Sequence, residues 1–379
     1  MFEVFLILIV VGFLALELVL SFVVFPLRSG KNFYSFRMND MVYQYHPKIG
    51  YVLKPRLNYS NPTRPQLKAP RKINFVDVRT NDDGFLTNLV LEDQKRNYQL
   101  IFCIGGSTTA GFESHHDKTY PAILDSLTEP KGYRCINVGV GGYRSIHELL
   151  LFKHKILDYH PSAIIVFSGF NDFESRGYNV SRPYNPFQHY LSDQLPKNSF
   201  ESLLFLSSLF YLVRSKYFIG HKQKIAQEAR FADFISNATK AVQEDHEWLD
   251  EWKTNITSLI NLCKERKIKF YLIGQLTPIY LNAPEEVKEY ANEDLGLNGQ
   301  FEVFAQFHHL LRQESIALCD KNSVTFLDIS AYFEKLCSQY LEKEYYKHRF
   351  SWFVDRAHLT ENGNALIAKY IYGRILEDL

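Results

Sequence analysis

Apolar positions along the chain fall into three regimes. From Val4 to Phe25 they are continuous, broken by Glu17 and Ser21. At about 1.5 Å per residue, such a run folded as a helix is just long enough to cross the hydrocarbon core of a bilayer. No basic residue precedes it and no small-x-small cleavage pattern follows it. A retained anchor over residues 1–27, touching lipid through residues 4–25, is therefore expected over a removed signal peptide; a buried core helix is the other reading. Glu17 raises the insertion cost by about 2–3 kcal/mol, which the many Leu, Ile, Val and Phe residues offset.

The second regime, about residues 28–98, has little helical periodicity. It contains Pro47, Pro55, Pro62, Pro65 and Pro70 and the turn signal Asn81-Asp-Asp-Gly84. It reads as an irregular, β-rich extension packed on the main domain. From residue 99 the rhythm changes again: short apolar runs alternate with helical patterns, as in a parallel sheet with crossover helices. The pattern predicts strands at Leu100–Ile104, Cys135–Val138, Ala163–Phe167, Lys269–Ile273 and Val324–Leu327. It predicts helices near Tyr120–Leu127, Ser145–Leu157, Trp252–Arg266, Phe301–Asp320 and Gly363–Leu376. The expected fold is a doubly wound α/β domain over 99–379, with its site at the carboxyl ends of the strands. A helical insertion interrupts it at about 173–251. The insertion's middle, Ser199–Tyr217, is rich in Leu, Phe and Tyr; it reads as an ordinary packed insertion or as a lid touching membrane or an acyl chain.

Composition narrows the function. With 43 basic and 42 acidic residues the chain has no global electrostatic footprint for nucleic acid. Its five cysteines form no CxxC pair and no Cys/His metal spacing; Cys103 and Cys135 fall inside strands, as buried thiols. Aromatic residues make up 15% of the chain, which supports a large core. The flanking charges Arg28, Lys31 and Arg37 put the main domain on the cytoplasmic side by the positive-inside rule. The sequons at Asn58, Asn179, Asn237 and Asn255 fit a secreted protein or chance.

Candidate chemistry gathers at the strand ends. After the first strand comes Gly105-Gly106-Ser107-Thr-Thr-Ala-Gly111. A phosphate loop would need a Gly-Lys-Ser/Thr, and no lysine appears before Lys118. The spacing is neither that of a dinucleotide fingerprint nor the GxSxG elbow. After the second strand comes Asn137-Val-Gly-Val-Gly-Gly142-Tyr-Arg-Ser145, after the third Ser168-Gly-Phe-Asn171-Asp172, and before the last helix Asp355-Arg-Ala-His358. A serine hydroxyl needs an adjacent base, which His358 supplies, and the base needs an orienting acceptor, which Asp355 supplies. The N–H groups of Ser107 and Gly142 and the amide of Asn171 form an oxyanion hole. His115-His116 and His308-His309 lack ligand-spaced partners and read as solvated or capping residues. Arg144 and Arg356 lie beside the proposed site, as binders of an anionic group or as surface residues. Asp172 is a residue that orients Asn171 or caps the next segment, and Asp328 reads as structural.

In order, these four segments resemble the blocks of the SGNH (GDSL-type) hydrolase superfamily: Gly-Gly-Ser107-Thr, Gly-Val-Gly-Gly142, Gly-Phe-Asn171-Asp and Asp355-x-x-His358. The resemblance covers about residues 99–379. Gly50-Tyr-Val-Leu-Lys-Pro and Thr80-Asn-Asp-Asp-Gly-Phe85 are similar to a segment that precedes the first block in bacterial members. Gly106 stands where the eponymous motif has Asp, as in relatives of the GGST type. The resemblance implies a three-layer α/β/α sandwich with a five-stranded parallel, flavodoxin-like sheet. It also implies no cofactor, an extracytoplasmic domain, and hydrolysis or transfer of acyl esters; no metal is expected, since the histidines lack ligand-spaced partners. Substrates expected on this basis are O-acylated glycans or other small-molecule esters, with lipid esters as the competing class. A catalytically inactive, membrane-tethered glycan-binding or scaffold protein is the non-enzymatic alternative.

Overall fold

A computed structural model of the chain describes residues 2–24, 42–61, 76–177, 207–210, 233–295, 297, 299–338, 349–376 and 378. They belong to two compact units, the first made of the described residues up to 54 together with 207–210, the second of the remainder. Arg28, Lys31, Arg37, the Asn179 sequon and most of Ser199–Tyr217 lie outside the described residues.

In the first unit, the apolar N-terminal run has no proline, and forms helix α1 (Phe2–Val19), continued by a wider-turned stretch over Leu20–Val24. Phe5–Val24 is long and apolar enough to cross a membrane, with a mean hydropathy of 2.9. Its large side chains, from Phe5 to Val23, stand exposed. Glu17 is not left bare on this helix. Its carboxylate accepts the N–H groups of Ser208 (2.7 Å) and Leu209 (3.1 Å) and the hydroxyls of Ser207 and Ser208. These donors satisfy the lone pairs that made this residue the costly one in the run. A hairpin of β1 (Tyr43–His46) and β2 (Gly50–Leu53) completes the unit.

The second unit opens with the antiparallel pair β3 (Asn58–Asn61) and β4 (Val76–Arg79). The Asn-Asp-Asp-Gly turn follows: Asn81 Oδ1 accepts the N–H groups of Asp83 and Phe85, both at 3.0 Å. This seats Phe85 edge-on against Phe102 at 6.0 Å, so the turn packs on the sheet. Helix α2 (Leu91–Asn97) leads into β5 (Gln99–Gly105). Then come α3 (Ser107–Ala110), α4 (Tyr120–Thr128), β6 (Tyr133–Asn137), α5 (Ser145–Leu151), β7 (Ala163–Phe167) and α6 (Phe170–Gly177). After the insertion follow α7 (Glu247–Arg266), β8 (Lys269–Ile273), α8 (Glu285–Asp294), α9 (Phe301–Asn322), β9 (Thr325–Leu327), α10 (Ile329–Cys337) and α11 (Glu361–Ile375).

The five strands from β5 to β9 form one parallel sheet in the order β6-β5-β7-β8-β9. A parallel sheet is covered on both faces, so its strands read as unbroken apolar runs. Every residue of β7 and all of β5 but Gln99 are buried accordingly. The fold is a three-layer α/β/α sandwich. Helix α4 packs against β6 and α11, while α7 packs against α5, α6, α9 and β8. Under α6 and α9 lies an aromatic cluster in which Phe173 stacks on Phe307 at 4.2 Å and Trp248 meets both. The chain leaves β5 to one side for β6 and returns on the other side as β7. The carboxyl ends of β5 and β7 therefore flank the switch point, where such sheets open a crevice.

Candidate active site

Ser107 is the first residue of α3, directly after β5. At its N-cap, Gly106 lies so close to Asn171 that an added Cβ would stand 2.5 Å from the Asn171 amide nitrogen. Any side chain there would push Asn171 away. Asn171 enters on α6 just past β7 and donates from Nδ2 to the Tyr143 carbonyl at 2.8 Å. Between β6 and α5 the glycine loop is pinned to the end of β5 by Val140 N–H to Gly105 O (3.1 Å). Gly142, in the left-handed region at φ 77°, precedes Tyr143 in this loop. The carboxyl end of the sheet thus gathers Ser107, Asn171 and the Gly142 loop.

The C-terminal pair arrives on a tight loop closed by Val354 N–H to His358 O at 2.8 Å. Thr360 caps α11 behind it, accepting the Gly363 N–H. His358 Nε2 stands 2.8 Å from Ser107 Oγ, and its Nδ1 stands 2.7 Å from Asp355 Oδ2. The other Asp355 oxygen accepts the N–H groups of Ala357 and His358, both at 2.8 Å. Burial alone would raise the Asp355 carboxyl, but the His358 ring and these backbone donors outweigh it and hold it well below the ordinary carboxylate range. Thr108 ties the two loops together by donating to the Ala357 carbonyl at 3.2 Å. Hydroxyl, imidazole and carboxylate therefore form one continuous hydrogen-bonded chain.

Behind this line runs a buried polar layer. Asp172 accepts Ser145 N–H at 3.1 Å and Ser145 Oγ at 2.6 Å, joining the starts of α5 and α6 beside Asn171. Asn255 Nδ2 donates to the same Ser145 hydroxyl at 3.0 Å. That asparagine is buried, so its sequon is closed to modification in the folded chain. Burial, and then the neighbouring Asp172, push the Glu148 carboxyl well above its ordinary range.

Arg144 is not a surface residue or an open anion binder: it is buried, between Asp172 at 3.9 Å and Glu251 at 3.3 Å. Arg356 pairs with Glu174 and lies over the Phe304 ring at 5.2 Å. Asp328 caps α10, accepting Ala331 N–H, and pairs with Arg312, a structural role. His115 pairs with Glu361. The expectation of solvated histidines fails at His308, which is buried against Phe170 and Phe307 because its helix packs on α6. All five cysteines are buried free thiols.

Sequence reasoning passed over Glu113. Its side chain is 8% exposed, and its Oε1 lies 4.0 Å from His358 Nε2, across the ring from Asp355. The signal was faint, a single acid six positions beyond Ser107 in a segment with no periodicity.

Residues 103–366 match the family model described as the GDSL-like Lipase/Acylhydrolase family. Among solved structures the chain is similar to an acetyl xylan esterase, AlAXEase, with 15% identity over 73% of this chain and 99% of that one, at a TM-score of 0.39. It is similar to a catalytic mutant of Axe2, an acetylxylan esterase from Geobacillus stearothermophilus, with 14% identity over 73% and 94% and a TM-score of 0.42. A GDSL-like lipase from Bacteroides thetaiotaomicron gives 16%, 76% and 91%, with a TM-score of 0.36. No curated protein matches.

Proposed function

The chain belongs to the GDSL-like lipase/acylhydrolase family and is an ester-bond hydrolase, and from that premise we propose that Ser107, His358 and Asp355 are its catalytic triad. The observation that carries this reading is the unbroken chain from Ser107 Oγ through His358 (2.8 Å) to Asp355 (2.7 Å). His358 Nε2 removes the hydroxyl proton as Ser107 Oγ attacks the ester carbonyl. Asp355, kept ionised, holds Nδ1–H and so fixes the tautomer that leaves Nε2 free to accept.

Negative charge then develops on the carbonyl oxygen. The N–H groups of Ser107 and Gly142 and the amide of Asn171 receive it. One Asn171 N–H is held by the Tyr143 carbonyl, which orients the amide for this task. His358 next protonates the departing alcohol, and the acyl group remains on Ser107 until water, or an acceptor hydroxyl in a transferase variant, releases it. The same hydrogen-bonded chain argues against an inactive scaffold, which has no need to keep base and hydroxyl in register.

We further propose that Phe5–Val24 is a retained single-pass anchor, because its exposed apolar side chains need a hydrocarbon environment. A chain that leaves the membrane in alkaline carbonate, or that lacks residues 1–27 after maturation, would refute the anchor. Acyl esters on glycans are the proposed substrates, and lipid esters compete because an anchored enzyme works at a bilayer. Turnover of acetylated oligosaccharides against long-chain acyl esters by the full chain separates them. Loss of both activities in Ser107→Ala supports the triad; retention of either removes it.

A further inference from the structure

His358 is flanked by two carboxylates. Asp355 engages Nδ1, and Glu113 faces Nε2 from 4.0 Å. Local structure fixes that placement. Helix α3 ends at Gly111, whose left-handed backbone (φ 68°) turns the chain back toward the serine. Ser114 N–H closes the turn onto Gly111 O at 3.0 Å, and Asn364 of α11 donates to the Ser114 hydroxyl at 2.9 Å. Glu113 is thus held between α3 and the helix that follows His358, with its side chain 8% exposed.

A separation of 4.0 Å is too long for a direct hydrogen bond, but one oxygen lying about 2.8 Å from each atom bridges it. An ionised carboxylate only accepts hydrogen bonds. The bridging group must therefore offer one O–H to Nε2 and a second to Glu113, and water has both. A simple alcohol has a single O–H, which the base must take.

We propose that Glu113 positions the water that releases the acyl group, so that the site favours hydrolysis over transfer; this rests on the assignment of Ser107 and His358 above. In the deacylation step the water gives one proton to His358 Nε2 while its oxygen bonds to the acyl carbon. The tetrahedral intermediate collapses by breaking the bond between that carbon and Ser107 Oγ. Ser107 Oγ takes the proton back from Nε2, and a carboxylic acid departs. Glu113 holds the second water O–H throughout and gains no proton.

The test follows the full chain in detergent with p-nitrophenyl acetate, reading the p-nitrophenol burst as acylation and the steady state as deacylation. Glu113→Ala is expected to slow deacylation about tenfold, the loss of one transition-state hydrogen bond, while the burst rate is kept. Acetyl-enzyme should then accumulate in intact-mass spectra. Added methanol should raise the ratio of methyl acetate to acetic acid well above that of the parent. Glu113→Gln, of equal size, should show the same split more weakly, which covers the case in which the alanine variant does not fold. Equal slowing of both steps, no slowing of either, or an unchanged methanol ratio would overturn the proposal. Acetyl-enzyme formed by Ser107→Ala would instead refute the nucleophile assignment.

Discussion

Replacing His308 with leucine is expected to remove an acid-triggered loss of stability. His308 sits on α9 with its ring centroid 4.7 Å from Phe307 and 6.5 Å from Phe170. Neither ring nitrogen has a hydrogen-bond partner among the described residues. Burial depresses its pKa from 6.5 to about 3. The folded state therefore keeps the ring neutral, while the unfolded chain takes up a proton below about pH 6.5. The stability tied to the neutral ring is fully present above that value and drains away as pH falls toward about 3.

At about pH 5 the deficit is some 1.5 pH units, each equivalent to about 1.4 kcal/mol, or about 2 kcal/mol in total. Leucine carries no proton and leaves no ring N–H unsatisfied in an apolar cluster, where such a group costs about 1–3 kcal/mol. The variant should match or exceed the parent at about pH 7.5, and its advantage should grow by about 2 kcal/mol at about pH 5. Urea unfolding of the chain in mild detergent reports this through Trp248, 5.6 Å from Phe307. The consequence reaches the site, since Phe170 directly precedes Asn171. An advantage that stays constant within about 0.5 kcal/mol between the two pH values would show that burial does not hold His308 neutral.

Two further outcomes concern the site itself. Asn171→Ala should lower kcat/KM by about 10²–10³-fold, the usual loss of one oxyanion donor, with fluorescence-monitored stability changing far less; an unchanged kcat/KM would remove Asn171 from the hole. Asp355→Asn should cost activity by about 10⁴-fold through the wrong imidazole tautomer. Because the native Asp355 carboxyl is depressed, the stability it supplies is present above the unfolded value of about 3.9 and is lost as pH falls through the lower folded value. The stability gap between parent and Asp355→Asn should therefore narrow as pH falls below about 4, as read by urea titration.

How much of the fold and site was legible in the sequence depends on which signals are local. Apolar runs set the strands: Ala163–Phe167 and Lys269–Ile273 fall where the pattern predicts, and β5 extends by Gln99 and Gly105 beyond the expected Leu100–Ile104. Four blocks in order led to Ser107, Asn171 and His358 because each sits within a few residues of a strand or helix end, where the sheet brings it to one edge. What failed depends on contacts distant in sequence. Arg144 looked available until the fold placed Asp172 and Glu251 around it. His308 carries a polar side chain in a helix whose periodicity does not show how deeply α6 covers it. Helices α2, α8 and α10 were unmarked, as short segments whose stability comes from packing. Glu113 meets His358 across 245 positions, as does the Ser107–His358 pair across 251; the latter was recoverable only because two motifs announced it.

In the proposed mechanism Ser107 is the nucleophile and His358 activates it. The most direct measurement is covalent labelling of the full chain by a fluorophosphonate, followed by peptide mapping. One adduct is expected, on Ser107, absent from Ser107→Ala and formed at least about a hundredfold more slowly in His358→Ala, the scale of a lost general base. An adduct on another residue, or equal labelling of Ser107 without His358, would contradict it.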